Sequence, residues 1–213
     1  MQRARTETQK DERKETICKA ALTLFKRNGY EQVSFNGIAA EAKFTKSNMY
    51  RYFSSKEEIF LTIFADLFKE WQKDYLKRLK VFSVNENKHA FAKTWVSSLL
   101  KYPKFLDLIP ILFISLEKNS SYEQLIKFKT LSKHLLYEIA CEISRIYPNL
   151  QGEKAFKLLN LCYAVTSSFW SANSQNEALK KIYSQEEFKD MKPDFDRDLI
   201  EAIEIIVKGI NTH

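Results

Sequence analysis

The chain reads Ile38-Ala39-Ala40-Glu41-Ala42-Lys43-Phe44-Thr45-Lys46-Ser47-Asn48-Met49-Tyr50-Arg51-Tyr52-Phe53, and this stretch decides the fold. Its apolar spacing predicts two short helices joined by a tight turn. Ser34 is placed to cap the first, which packs through Phe35, Ile38, Ala39 and Ala42. Thr45 is placed to cap the second, which packs through Met49, Tyr50 and Phe53. The face of the second helix that does not pack is polar and basic. A short helix of that character suits the major groove of double-stranded DNA.

Working outward, Ile17, Ala20, Ala21, Leu24 and Phe25 follow a helical spacing that Asn28-Gly29 ends, with Gly29 suited to a left-handed cap. Before them, residues 1–14 are polar and charged, with Arg3, Arg5, Lys10, Arg13 and Lys14, and read as a flexible basic arm. On the other side, Ser54-x-x-Glu57 reads as a capping box that opens a long helix. That helix carries Ile59, Phe60, Ile63, Phe64, Leu67, Trp71, Tyr75 and Leu79, and so leaves the DNA-reading segment for a second domain.

Composition agrees with an all-α protein. The chain has 213 residues with only 4 glycines and 4 prolines, so helix breakers are scarce. Hydrophobic residues make up 45% and charged residues 29%, which excludes a disordered chain. The formal net charge is +7, and residues 1–60 hold 12 basic against 8 acidic groups, so the basic excess is denser at the N-terminal end. No apolar run reaches the ~18 residues of a membrane span, and the polar start does not read as a signal peptide. A soluble cytoplasmic protein is expected. The 3 cysteines, Cys18, Cys141 and Cys162, sit in apolar helical patterns and read as buried free thiols.

Further helices are expected at about 88–102, 104–118 with a break or kink at Pro110, 122–146, 153–173 and 195–210. The polar stretch 174–194 reads as a short helix with a loop. The boundaries are therefore an arm at 1–14, a DNA-binding domain at 15–60 and a helical domain at 61–213.

The recognition helix would offer its N-terminal side chains Thr45, Lys46, Ser47 and Asn48 to base edges. Lys46 can donate to guanine or to a phosphate. Asn48 can pair with adenine or donate to a phosphate. Tyr50, Arg51 and Tyr52 lie one turn later, where phosphate contact is the commoner role. Lys56 opens the fourth helix, where a lysine and backbone N–H groups can hold a phosphate together. The same residues would also serve as a solvated basic face of an ordinary helical protein.

The segment resembles the DNA-binding domain of the TetR family of bacterial transcriptional regulators. The likeness is carried by Ala20-Ala21-Leu22-Thr23-Leu24-Phe25, Gly29-Tyr30, Ile38-Ala39, Met49-Tyr50-Arg51-Tyr52-Phe53 and Ser55-Lys56-Glu57-Glu58. It covers about residues 12–60. It implies DNA contacts at Ser34, Asn36, Lys46, Ser47, Asn48, Tyr50, Arg51, Tyr52 and Lys56. Three residues depart from the family's pattern. Lys43 stands where the turn usually has glycine, Gly37 where a better helix former is usual, and Ser47 where glycine is frequent.

The rest resembles, more loosely, the helical effector and dimerisation domain of the same family. Leu116-Glu117-Lys118-Asn119, Phe169-Trp170-Ser171-Ala172-Asn173 and Asp194-Phe195 are similar to the pattern of one subgroup. The last helix, with Leu199, Ile200, Ile203, Ile205, Ile206, Val207 and Ile210, is apolar over more than one stripe and needs a second surface to cover it. The resemblance implies a homodimer built on the last two long helices.

Candidate effector residues on the middle helices are Phe91, Trp95, Leu99, Phe105, Ile109, Leu112, Phe113, Leu131 and Leu135, then Tyr163, Thr166, Phe169 and Trp170. They would equally form ordinary core. His134 and Glu138, one turn apart, could orient a polar ligand end or form a surface pair.

The resemblance implies a ligand-responsive repressor. It would bind a pseudo-palindromic operator as a dimer and be released by a small, largely apolar effector. A DNA-binding activator, or a structural DNA-binding protein with no small-molecule trigger, is the alternative. With 3 histidines, 4 glycines, no metal-spaced cluster and no nucleophile motif, neither an enzyme nor a cofactor is expected.

Overall fold

The computed structural model describes the backbone of residues 2–211 and the side chains of residues 8–210. Among the described residues ten α-helices follow one another: α1 Gln2–Asn28, α2 Phe35–Glu41, α3 Lys46–Met49, α4 Lys56–Leu79, α5 Lys88–Leu100, α6 Pro103–Leu108, α7 Tyr122–Ile146, α8 Glu153–Asn173, α9 Glu177–Tyr183 and α10 Phe195–Asn211. A π-helical turn covers Leu112–Leu116 and a 3-10 turn covers Glu186–Met191. No strand occurs among the described residues, and none of their helices is long and apolar enough to cross a membrane. The chain divides into two units. One comprises Met1–Asp66 and Leu112–Leu131, the other Leu67–Ile111 and Ser132–His213.

The first unit is built around α1. Ile17, Ala20 and Ala21 are buried at helical spacing, as are Ile38, Ala39, Met49 and Phe53 of the two helices that follow. Phe60 of α4 completes this core, packed edge-to-face against Phe25 and Tyr30. Each such fully buried Ile or Phe side chain contributes about 1.5–3 kcal/mol relative to an exposed one. Gly29 ends α1 at φ 73°, with its N–H on the Phe25 carbonyl at 2.9 Å.

Helix α1 starts at Gln2, so most of the segment expected to be a flexible arm is helical. Its polar first half continues the register of the packed second half without a break. Met1 and the side chains of Arg3 and Arg5 lie outside the described residues.

The opening of α4 also differs by one residue. Ser55 is the cap, since its Oγ accepts the N–H of Glu58 at 3.2 Å. Glu58, not Glu57, reaches back, accepting the N–H and the hydroxyl of Ser54, each at 2.7 Å. Its second carboxylate oxygen accepts the N–H of Ser121 just before α7, at 3.1 Å. Glu58 is 2% exposed, and burial alone would raise its carboxyl. The bonds from Ser121 and Ser54 outweigh that desolvation and hold it below the usual range.

In the second unit, α10 buries Phe195, Leu199, Ile203 and Val207 as one stripe, and α10 packs on α5 and α8. Ile200, Ile206 and Ile210 are only half-buried, and Ile205 is 70% exposed. Arg145 near the end of α7 donates to the carbonyls of Leu79 and Phe82, both at 2.8 Å, and so ties down the end of α4. The long helical segment expected at 104–118 breaks around Pro110 into α6 and the π-helical turn. Cys162 is buried and Cys18 partly so, but Cys141 is exposed, against the expectation of three buried thiols. Cys141 falls on the outer face of α7, between the buried Ala140 and Ile143.

Candidate nucleic-acid interface

The turn between α2 and α3 sets the interface. Ala42 is the last α-conformation residue, and Lys43 follows with φ 59°. The N–H of Lys43 donates to the Ala40 carbonyl at 3.1 Å and that of Phe44 to the Ala39 carbonyl at 2.8 Å. These two bonds form the left-handed helix stop that glycine usually occupies. A lysine there costs roughly 1–2 kcal/mol, and the paired bonds hold it in place. The sequence departure at Lys43 is thus accommodated by local backbone strain, with the turn geometry kept.

Thr45 then caps α3, its Oγ1 accepting the N–H of Asn48 at 3.3 Å. Ser34 does the same for α2 through the N–H of Gly37 at 3.0 Å. Met49 and Phe53 point inward, buried at 0% and 2% exposure. Helical periodicity then turns Lys46, Ser47 and Asn48 outward, and all three are exposed beside their cap Thr45. Asn36 of α2 is exposed as well. After Met49 the helix tightens, with N–H groups of Arg51 and Tyr52 bonding three residues back. The recognition helix is therefore shorter than the stretch through Phe53 suggests.

Tyr50 and Arg51 are exposed, with Tyr50 lying against Phe35 at 5.1 Å between ring centroids. Tyr52 is half-buried, its ring edge-on to Phe44 at 6.0 Å. The guanidinium of Arg13 also rests on Phe44, 5.5 Å from the ring centroid. Gln9, Lys10, Glu12, Arg13 and Thr16 of α1 line a polar groove of about 740 Å³ together with Arg51 and Tyr52. Much of this part of α1 falls in the segment 1–14 expected to be a flexible arm, so the groove is not evident from the sequence pattern. The signal lies in Lys10 and Arg13, whose i, i+3 spacing puts both on one face of a continuous helix.

Lys56, expected to hold a phosphate, is half-buried and bonded within the protein. Its ammonium donates to the Val33 carbonyl at 2.9 Å and to the Tyr30 carbonyl at 3.4 Å, and lies 4.4 Å from the centre of the Tyr30 ring. It braces the loop between α1 and α2.

The candidate effector residues fall in both units. Leu112, Phe113 and Leu131 belong to the first, and the remainder to the second. Phe113 is 56% exposed and lines an open groove of about 510 Å³ with Tyr122, Leu125, Ile126 and Lys129. In the second unit, Trp95 and Phe105 are packed with Phe68, Trp71 and Tyr75 in an aromatic stack, with centroids 5.1–6.0 Å apart. Phe91, Leu99, Ile109 and Leu135 are buried. Trp95 donates to Thr166 at 3.1 Å, Tyr163 to the Ile109 carbonyl at 2.7 Å and Trp170 to Asp107 at 3.0 Å, while Phe169 is half-buried. His134 is 3.6 Å from Glu138 and largely exposed, and Glu138 accepts from the buried Gln72 at 2.5 Å. The two form a surface pair on α7, braced from α4.

Residues 17–63 match the family described as "Bacterial regulatory proteins, tetR family", and residues 61–213 match "Tetracyclin repressor-like, C-terminal domain". The chain belongs to the TetR family. TetR-family proteins are DNA-binding transcriptional regulators and not enzymes, and this chain is one of them. The uncharacterised HTH-type transcriptional regulator YfiR of Bacillus subtilis (strain 168) is 41% identical over 58 residues, which is 27% of this chain and 28% of the relative. The chain thus spans little more than a quarter of that relative. A TetR/AcrR-family transcriptional regulator from Thermobifida fusca YX-ER1 has a similar fold, with TM-score 0.54, 18% identity, and 92% and 96% of the two chains covered. The fatty acid degradation regulator FadR from Bacillus halodurans matches likewise, with TM-score 0.54, 14% identity, and 92% and 95% covered. At these identities the likeness concerns the fold.

Proposed function

We propose that this TetR-family regulator is a ligand-responsive repressor that reads a pseudo-palindromic operator as a homodimer. The observation that carries the proposal is the exposed, polar N-terminal turn of α3, with Lys46, Ser47 and Asn48 outward over a core of Met49 and Phe53. Lys46 and Asn48 are the base-reading pair, Ser47 permits close approach, and Ser34, Asn36, Tyr50, Arg51 and Tyr52 hold the DNA backbone. Lys56 supports the reader from inside.

The proposed division puts the DNA reader at 15–60 and the effector and dimerisation helices after it, with Leu112–Leu131 of the later helices belonging to the same compact unit as the reader. The uncovered side of α10 at Ile205, 70% exposed, together with Leu161 of α8, 37% exposed, supports a second copy as the covering partner. A two-fold dimer would set two recognition helices on half-sites one helical turn apart.

The effector would be small and largely apolar, held among the aromatic residues of the middle helices. It would release DNA by its differential affinity for the DNA-bound and DNA-free states. The close aromatic stack of Trp71, Tyr75, Trp95 and Phe105 favours a second reading, a DNA-binding regulator with no small-molecule trigger. Operator release decides between them. Hydrophobic compounds that dissociate the purified protein from its selected duplex support the first reading. A complex that no apolar compound in a broad panel dissociates supports the second.

A further inference from the structure

We infer that the first half of α1 forms, with Arg51 and Tyr52, a second seat for the DNA backbone, and that Lys10 and Arg13 are its phosphate ligands. The inference rests on the proposed reading of α3 as the base-reading helix. It extends the interface to a part of the chain whose sequence reads only as a charged terminus.

Three observations carry it. The groove lined by Gln9, Lys10, Glu12, Arg13, Thr16, Arg51 and Tyr52 is continuous with the residues that directly follow α3. A DNA strand seated on α3 has this groove beside it. Its lining holds three basic groups, Lys10, Arg13 and Arg51, against the single carboxylate of Glu12. That excess of positive charge complements phosphate, and Gln9 and Tyr52 add neutral donors.

The third observation is preorganisation. Arg13 is held over the Phe44 ring, and the edge of Tyr52 meets the same ring. Phe44 follows the strained turn residue Lys43, so the turn that sets α3 also sets the ring on which Arg13 rests. Both faces of the groove are thereby fixed to the recognition helix. The helical state of α1 down to Gln2 keeps Lys10 and Arg13 one turn apart on one side, which a flexible arm would not do.

The test is the salt dependence of binding by the full-length protein, measured on a random-sequence duplex of roughly 40 base pairs and on the symmetric duplex selected from a random pool. Lys10→Ala and Arg13→Ala should each lower the slope of log K against log salt by about 0.9 for every phosphate that a protomer no longer neutralises, with the preferred sequence unchanged. Lys26→Ala, about 20 Å along the same helix from Arg13 at 1.5 Å per residue, should leave the slope as it is. The cation on Phe44 is Arg13, so Lys10→Ala reads out phosphate binding without disturbing that ring. Arg13→Lys should keep most of the slope. Wild-type slopes in both alanine variants would overturn the inference while leaving the α3 reading intact. Slopes that fall in a protein with no sequence preference would support the seat and sink the base-reading proposal. Absence of any duplex binding by the wild type would overturn both.

Discussion

The hydroxyl of Tyr30 lies 2.8 Å from Oγ of Ser115. Tyr30 follows the glycine that ends α1, and Ser115 lies in the π-helical turn Leu112–Leu116, 85 residues away in sequence. The bond joins the corner of the DNA-reading helices to the stretch of the middle region, Leu112–Leu131, that belongs to the same unit. Burial pushes the Tyr30 hydroxyl up from its ordinary 10.0 to about 12, with the Ser115 bond acting in the opposite direction. A raised folded value means that the unfolded chain loses its proton first as pH rises. This stabilisation is therefore complete below about pH 10 and is lost between about 10 and 12. Tyr30→Phe should cost about 0.5–1.5 kcal/mol at neutral pH and should blunt the alkaline loss of stability. Denaturant titrations of both proteins from pH 7 to 11 measure this.

Lys43→Gly should stabilise the protein. The φ of 59° is free of strain for glycine, and the two helix-stop bonds are made by backbone alone. The expected gain is about 1 kcal/mol, less the entropy that glycine adds to the unfolded chain. Thermal unfolding of the variant checks it, and an unchanged or lowered melting temperature would mean that the lysine side chain contributes a compensating interaction.

Glu58→Ala should be severely destabilising. It leaves the N–H groups of Ser54 and Ser121 without their acceptor and removes a charged partner, at a cost of about 2–4 kcal/mol. The carboxyl titrates below its ordinary 4.5 in the folded protein, so its contribution is complete above that pH and is lost as pH falls through the folded value. Acid unfolding of wild type and Glu58→Gln, followed by circular dichroism, should show a smaller acid-dependent loss in the variant.

Lys56 and Asn48 should separate stability from specificity. Lys56→Ala removes the bonds to the Val33 and Tyr30 carbonyls and should lower stability by about 1–2 kcal/mol, with the salt slope of DNA binding preserved. Asn48→Ala should leave folding intact and relax the preference at particular base positions by about 1–3 kcal/mol. An equal drop in affinity at every base position would contradict the role given to Asn48.

Much of this architecture is legible in the sequence because apolar spacing and breakers agree. Helix α7 occupies Tyr122–Ile146 and α8 Glu153–Asn173, as the pattern and Pro148 predict. The caps Ser34 and Thr45 and the left-handed Gly29 are local chemistry and are read from local sequence. The rest depends on partners distant in the chain. Glu58 takes the capping role because Ser121 supplies a second donor to a buried carboxylate, which the Ser54–Glu57 spacing cannot reveal. Lys56 points inward because the carbonyls of Tyr30 and Val33 converge on it. The first half of α1 is too polar to show a packed face, so its helix is not visible in hydrophobic periodicity. The effector residues are apolar and aromatic, and that composition serves core and pocket alike. Phe113 is surface-exposed and Trp95 is locked in a stack for reasons of tertiary placement alone.

Selection of binding sites from a random duplex pool, with the purified wild-type protein at near-physiological salt, tests the central claim most directly. The account predicts enrichment of a two-fold symmetric consensus whose half-sites are about one helical turn apart. Binding that is salt-sensitive but indifferent to sequence would contradict it.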